Sequence, residues 1–90
     1  MSNRVVDDRG TVRYFGGDGW FHREDGPAVI HWNGTKEWYF HGERHREDGP
    51  AGIYATGGTK EWYLHGKRYS REEFEIRLKL SKSKILEVLK

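Results

Sequence analysis

Five histidines are the first residues in this 90-residue chain that could do chemistry. Imidazole is a common metal ligand, and His41 and His45 have the spacing of a zinc-binding pair. His22 and His45, however, occupy matching positions of a repeated motif, as do His41 and His65. Matching positions of stacked units lie one repeat apart and do not converge on a single ion. The chain has no Cys, which excludes thiolate ligands, disulfides and a Cys nucleophile. No metal and no cofactor is expected, and the histidines are assigned to turns and packing.

Glu24, Asp25, Glu47 and Asp48 could suggest glycosidase chemistry. An acid–base carboxylate pair needs two unlike environments at a set separation. Here one Glu-Asp pair is copied together with its whole loop, which points to turn duty. Asp25 and Asp48 are expected to accept backbone N–H groups, and Arg23 and Arg46 to pair with a nearby carboxylate. No nucleophile motif, P-loop or dinucleotide fingerprint is present, and Gly16-Gly17-Asp18-Gly19 lacks the required pattern. No catalytic residue is assigned, and the chain reads as a non-enzyme.

Rings interleaved with basic residues offer binding chemistry. Trp20, Trp32, Trp38 and Trp62 occur among Arg13, Arg23, Lys36, Arg44, Arg46, Lys60, Lys67 and Arg68. Such platforms hold bases and phosphates by stacking and charge. Trp38 and Trp62 are assigned to the core, Trp20 and Trp32 to the surface. The expected protein- or nucleotide-binding surface is Trp20, His22, Arg23, Trp32, Tyr39, Arg44, Arg46 and Tyr63, with the loops 22–28 and 45–51. A net charge of +2, from 16 basic and 14 acidic residues, argues against nucleic acid as the partner. No apolar run approaches the roughly 18 residues of a membrane span, and the opening residues carry no apolar signal region. A cytoplasmic location is expected.

A repeat must position these side chains. His22-Arg23-Glu24-Asp25-Gly26-Pro27-Ala28 returns as His45-Arg46-Glu47-Asp48-Gly49-Pro50-Ala51. Gly34-Thr35-Lys36-Glu37-Trp38-Tyr39-Phe40-His41-Gly42 returns as Gly58-Thr59-Lys60-Glu61-Trp62-Tyr63-Leu64-His65-Gly66. The two spacings differ by one residue, which falls between Ala51 and Gly58. A degraded copy begins at Gly10, with Tyr14 and Phe15 in the ring positions and Gly16-Gly17-Asp18-Gly19 in place of the tight turn. Each unit reads as β-hairpins. Strands 28–32 and 35–40 flank Asn33-Gly34, expected as a type I′ turn with both residues at positive φ. His41-Gly42 and His65-Gly66 supply the next turn, followed by strands 43–45 and 67–69. Alternation puts Trp38 and Phe40 on a core face, with Trp62 and Leu64 repeating it. Stacking then sets Tyr14, Trp38 and Trp62 in one ladder and Phe15, Tyr39 and Tyr63 in another.

Only 34% of the chain is hydrophobic and its mean hydropathy is −0.97, figures compatible with disorder. The 14% of aromatic residues and 12 Gly point instead to a small β domain with a ring-built core. Composition changes near residue 70: every Gly lies before it, and every Leu except Leu64 after it. Ser70-Arg71-Glu72-Glu73 has the form of a capping box. A helix is favoured over residues 71–89, although residues 74–80 also alternate as a strand would, and Ser81-Lys82-Ser83 could bend it. Phe74, Leu78, Ile85, Val88 and Leu89 share its sheet-facing side. Ile76 and Leu80 point away from it, which suggests a homodimer. The basic run from Arg77 to Lys84 could touch an anionic partner. The expected divisions are therefore a flexible or edge-strand segment 1–9, hairpin repeats 10–69 and a helical segment 70–90. The fold class is mainly β: an antiparallel meander of hairpin repeats with one C-terminal α-helix.

The His-Arg-Glu-Asp-Gly-Pro-Ala and Gly-Thr-Lys-Glu-Trp-Tyr units resemble MORN-like repeat proteins of tailed bacteriophages and some giant viruses, and more distantly the MORN-repeat bacterial antitoxins. The resemblance covers residues 10–69, and the ending Tyr69-Ser70-Arg71-Glu72-Glu73-Phe74 is similar to that of such phage proteins. It implies a phage accessory protein in the bacterial cytoplasm that docks on and inhibits a host defence or nuclease protein. Two alternatives stand beside this expectation. One is a sponge for an anionic nucleotide at an aromatic and Arg-lined subunit interface. The other is a structural virion or assembly component.

Overall fold

The computed structural model describes residues 3–88, and side chains as far as Ser81. The chain is mainly β with one helix. The strands are β1 (Asn3–Val6), β2 (Val12–Phe15), β3 (Val29–Ile30), β4 (Lys36–Glu37), β5 (Tyr39–Phe40), β6 (Glu43–Arg44), β7 (Gly52–Ile53), β8 (Lys60–Leu64) and β9 (Lys67–Tyr69), followed by α1 (Arg71–Val88). Seven of them form one antiparallel sheet in the order β1-β2-β3-β4-β7-β8-β9, and β5-β6 is a separate hairpin. β1 is the edge strand, one of the two expected states of the opening segment.

The strand expected over 35–40 is broken at Trp38. There the backbone changes partner: the Trp38 N–H donates to the Ala51 carbonyl, and its own carbonyl accepts from the His45 N–H. The returning loop thus takes the hydrogen bonds that would have carried β4 onward. In the last copy no further loop returns, and the equivalent residues run unbroken as β8.

The turns also differ from expectation. At Asn33-Gly34 only Gly34 has a positive φ, at 94°. His31 donates to Thr35 and its carbonyl accepts from Gly34, closing a three-residue loop instead of a type I′ turn. Asp7–Thr11 is built identically, with Gly10 at φ 94°. The type I′ geometry belongs instead to His41-Gly42 and His65-Gly66, where both residues of each pair lie at positive φ. Successive loops are tied together: the Thr11 hydroxyl accepts from the Trp32 N–H, and the Thr35 hydroxyl from the Ala55 N–H.

The core is smaller than the pattern of rings implied. Among the described residues its buried apolar side chains are Ala28 and Ala51, both fully buried, with Val29 and Phe74. Trp38, Trp62 and Leu64 are half-buried and Phe40 is exposed, so the Trp face is not a dry core. Phe74 is the only large apolar side chain buried among the described residues. The second ring ladder is interleaved, not directly stacked. Phe21 sits between Phe15 and Tyr39 at centroid distances of 5.1 and 5.2 Å. Arg44, the residue matching Phe21, lies between Tyr39 and Tyr63 at 5.7 and 5.2 Å.

Residues 71–80 are helical, and α1 runs through Ser81–Ser83 without a break. The capping box closes reciprocally: Ser70 Oγ accepts the Glu73 N–H at 3.2 Å, and Glu73 Oε1 accepts the Ser70 N–H at 3.4 Å. The helix packs on β8 and β9 with Phe74 buried and Leu78 half-buried. Ile76 and Leu80 are exposed, as their positions implied. The Ile85, Val88 and Leu89 side chains, expected on the sheet-facing side, lie outside the described residues. No helix among the described residues is long and apolar enough to cross a membrane.

Candidate binding groove

Each His-Arg-Glu-Asp-Gly-Pro-Ala loop is locked by its own arginine. Arg46 Nε donates to Asp48 Oδ1 at 2.8 Å and Nη1 to the Pro50 carbonyl at 3.0 Å, while the guanidinium lies 4.0 Å from the Trp38 ring centre. Arg23 repeats this on Asp25, the Pro27 carbonyl and Tyr14, at 3.1, 3.2 and 4.0 Å. The planar fork satisfies two acceptors in its plane and a ring on its face, which an ammonium cannot do. Gly26 and Gly49 are required by this approach. A Cβ on Gly49 would stand 3.0 Å from Arg46 Cζ, and one on Gly26 3.2 Å from Arg23 Cζ. The expected pairing of the arginines with nearby carboxylates holds. Asp25 and Asp48, expected to take backbone N–H groups, accept the guanidinium instead. The Arg46 hydrogen bond holds the Asp48 carboxyl below the ordinary range.

Histidines join each loop to the next hairpin. His22 Nδ1 accepts the His41 N–H at 3.0 Å, and His45 Nδ1 the His65 N–H at 2.9 Å. In each pair the rings lie 4.3 Å apart. The left-handed turn residue is thereby fixed from one side, and Nε2 of His45 faces Glu47 at 3.2 Å. Among the described residues no group of three metal-ligating side chains comes together.

Between the two loops lies an open groove of about 540 Å³, lined by Arg23, Glu24, Asp25, Gly26, Trp38, Phe40, His45, Arg46, Glu47, Asp48 and His65. Its floor is made of the rings of Trp38, Phe40, His45 and His65, with His45 centred 6.2 Å from Phe40 and 4.3 Å from His65. Its rim carries Glu24, Asp25, Glu47 and Asp48, all exposed. Four carboxylates therefore face two guanidinium groups that are already engaged. Arg23 and Arg46 of the expected surface converge here, whereas His22 is buried behind Phe40, its ring 4.6 Å from that of Phe40. Trp38 and Phe40, assigned to the core, belong to the groove as well. Phe40 directly precedes the His41-Gly42 turn, where the hairpin ends and no strand covers it; that position was the available signal.

The remaining expected surface residues lie elsewhere. Arg44 is a hub inside the repeat. Its Nη1 donates to the Tyr54 hydroxyl at 2.8 Å and to Glu61 Oε1 at 3.3 Å, and its Nη2 donates to Glu37 Oε2. It thus bridges the same glutamate of two successive units. Burial alone would lower its pKa, but Tyr54, Tyr39 and Glu37 more than offset this and push it above the ordinary guanidinium value. Tyr54 donates to Glu61 at 2.6 Å, and burial together with that bond raises its phenol pKa. Tyr39 and Tyr63 flank Arg44 and are half-buried. Trp20 and Trp32 are 63% and 60% exposed, but at opposite ends of β2. Trp20 follows the loop after β2 and packs on Gly42, whereas the Trp32 N–H is held by Thr11, ahead of β2. They do not share a surface.

No protein-family model matches the chain, and no curated protein and no solved structure matches it either.

Proposed function

We propose that the chain is a non-enzymatic binding protein that docks on another protein through the groove between loops 22–28 and 45–51. One observation carries this reading: a duplicated loop, locked twice by the same arginine geometry, presents the same Glu-Asp pair on both sides of a floor of rings. A preformed surface with an apolar centre and polar rim loses little freedom on association. The rim charge supports a protein over an anionic nucleotide, because phosphate would meet four exposed carboxylates and two arginines each already paired with one of them. The resemblance to MORN-like phage proteins extends the proposal to a host defence or nuclease protein in the bacterial cytoplasm, inhibited by occupation of this groove.

Affinity capture from bacterial lysate, run in parallel with the native chain and a Glu24→Lys/Glu47→Lys variant, tests the reading. A stoichiometric partner held by the native chain and lost by the variant supports it. No partner, or one held equally by both, overturns it. Recovery of the chain in purified virions would assign it instead to the structural class.

A further inference from the structure

β1 (Asn3–Val6) ends the seven-stranded sheet, and among the described residues no strand pairs with its outer side. Hydrogen bonding fixes which groups face outward. The Tyr14 N–H donates to Ala28, toward β3. Arg4, opposite Tyr14 in the β1–β2 register, therefore belongs to a non-hydrogen-bonded pair. The hairpin end agrees, since the Asp7 N–H donates to Thr11 and Val5 stands two residues before it. Alternation then turns the backbone groups of Val5 inward and those of Arg4 and Val6 outward. Val5 and Val6 are also 49% and 47% exposed. An unpaired edge with apolar side chains and a single guarding cation is a template for another strand.

We propose that this edge is an interface with a second copy of the chain, the two β1 strands pairing antiparallel about a two-fold axis at Val5. The edge is its own complement in that register. Arg4 of one copy exchanges N–H···O bonds with Val6 of the other, and the same occurs on the far side of the axis. The two Val5 side chains meet in a non-hydrogen-bonded pair, where Cβ atoms are about 4.5–5.5 Å apart. Arg4 lies beside a valine and not opposite its own copy. The exposed helix strip Ile76 and Leu80 is the competing surface for self-contact. The paired edges give one continuous sheet with a binding groove in each half.

Sedimentation and oxidative trapping of the full chain test the proposal. The native chain is expected to sediment at twice its 10.6 kDa. Because the chain has no Cys, Val5→Cys places a single thiol at the axis and should be trapped by oxidation as a disulfide-linked dimer. Val6→Pro removes an outward N–H and no bond within the sheet, so a folded monomer with an unchanged circular dichroism spectrum is expected. A native chain that stays monomeric at high concentration overturns the proposal. So does a dimer that survives Val6→Pro but dissociates with Ile76→Lys/Leu80→Lys. If Val6→Pro does not fold, Val5→Lys sets two ammonium groups at the axis, and a dimer persisting there overturns the proposal equally.

Discussion

The guanidinium of Arg46 lies 4.0 Å from the centre of the Trp38 ring, and this contact closes loop 45–51 over the break between β4 and β5. The arginine also spans Asp48 and the Pro50 carbonyl, so a single side chain joins a ring, a carboxylate and a backbone turn. Arg46→Ala is expected to cost about 2–3 kcal/mol, from a charge-assisted hydrogen bond and a partly desolvated cation–π contact. Arg46→Lys should recover less than half of that. Urea denaturation of both variants measures it.

Gly49→Ala should destabilise by about 1–2 kcal/mol, the usual cost of overpacking. The added methyl meets a guanidinium that Asp48, Pro50 and Trp38 hold in place. Gly26→Ala should cost less, because its clearance is 3.2 Å instead of 3.0 Å. In the Arg46→Ala background the Gly49→Ala penalty should largely vanish. A double-mutant cycle on the two positions reads that coupling directly.

His41 and His65 hold φ values of 49° and 50°, where a β-branched side chain is strained. His41→Val should lower stability by about 1–2 kcal/mol through the left-handed backbone alone. His41→Asn, which tolerates that conformation, should stay closer to the native chain while losing the ring contacts with His22 and Phe40 and the pairing with Asp18. Thermal melts of the two variants separate backbone strain from ring packing.

Stability should fall in acid. Asp7, Asp18 and Asp48 have pKa values lowered from 3.8, owing first to the Arg13 hydrogen bond, the Trp20 backbone N–H and the Arg46 hydrogen bond respectively. A carboxylate with a depressed folded-state pKa binds protons more weakly in the folded chain than in the unfolded one. Its contribution is complete above the ordinary value and is lost as pH falls through the folded one. Melting temperature should therefore be level near neutrality and drop below about pH 4. Asp48→Asn should make that drop shallower while lowering the plateau.

The repeat, the mainly β class and the capped helix were legible because each rests on local chemistry: Gly at fixed turns, rings at fixed intervals, Ser70 three residues before Glu73. The interruption at Trp38 was not, because the loop that takes its hydrogen bonds arrives from residues 45–51. Arg44 looked like a surface cation for the same reason. Its partners Glu37, Tyr54 and Glu61 come from strands that only the folded register brings together. Trp20 and Trp32 were rightly placed outside the core, yet alternation along a strand cannot tell which end of a sheet an exposed ring occupies. Loops 22–28 and 45–51 were recognisable as a pair because both copies keep the same residues. The groove between them depends on how one unit is set against the next, and no short-range pattern encodes that.

The third ring position, Trp62, has no arginine loop after it. Tyr69 stands where His45 stands in the preceding unit, and beyond it the chain enters α1, which packs on β8 and β9. The helix takes the place of the next loop, so it acts as a terminator. The His and Thr clasps between units recur at each step and impose no limit of their own. The length of this molecule is therefore a count, set by how many units precede the stop. A chain carrying one more unit ahead of Ser70 should be longer by one groove and unchanged elsewhere.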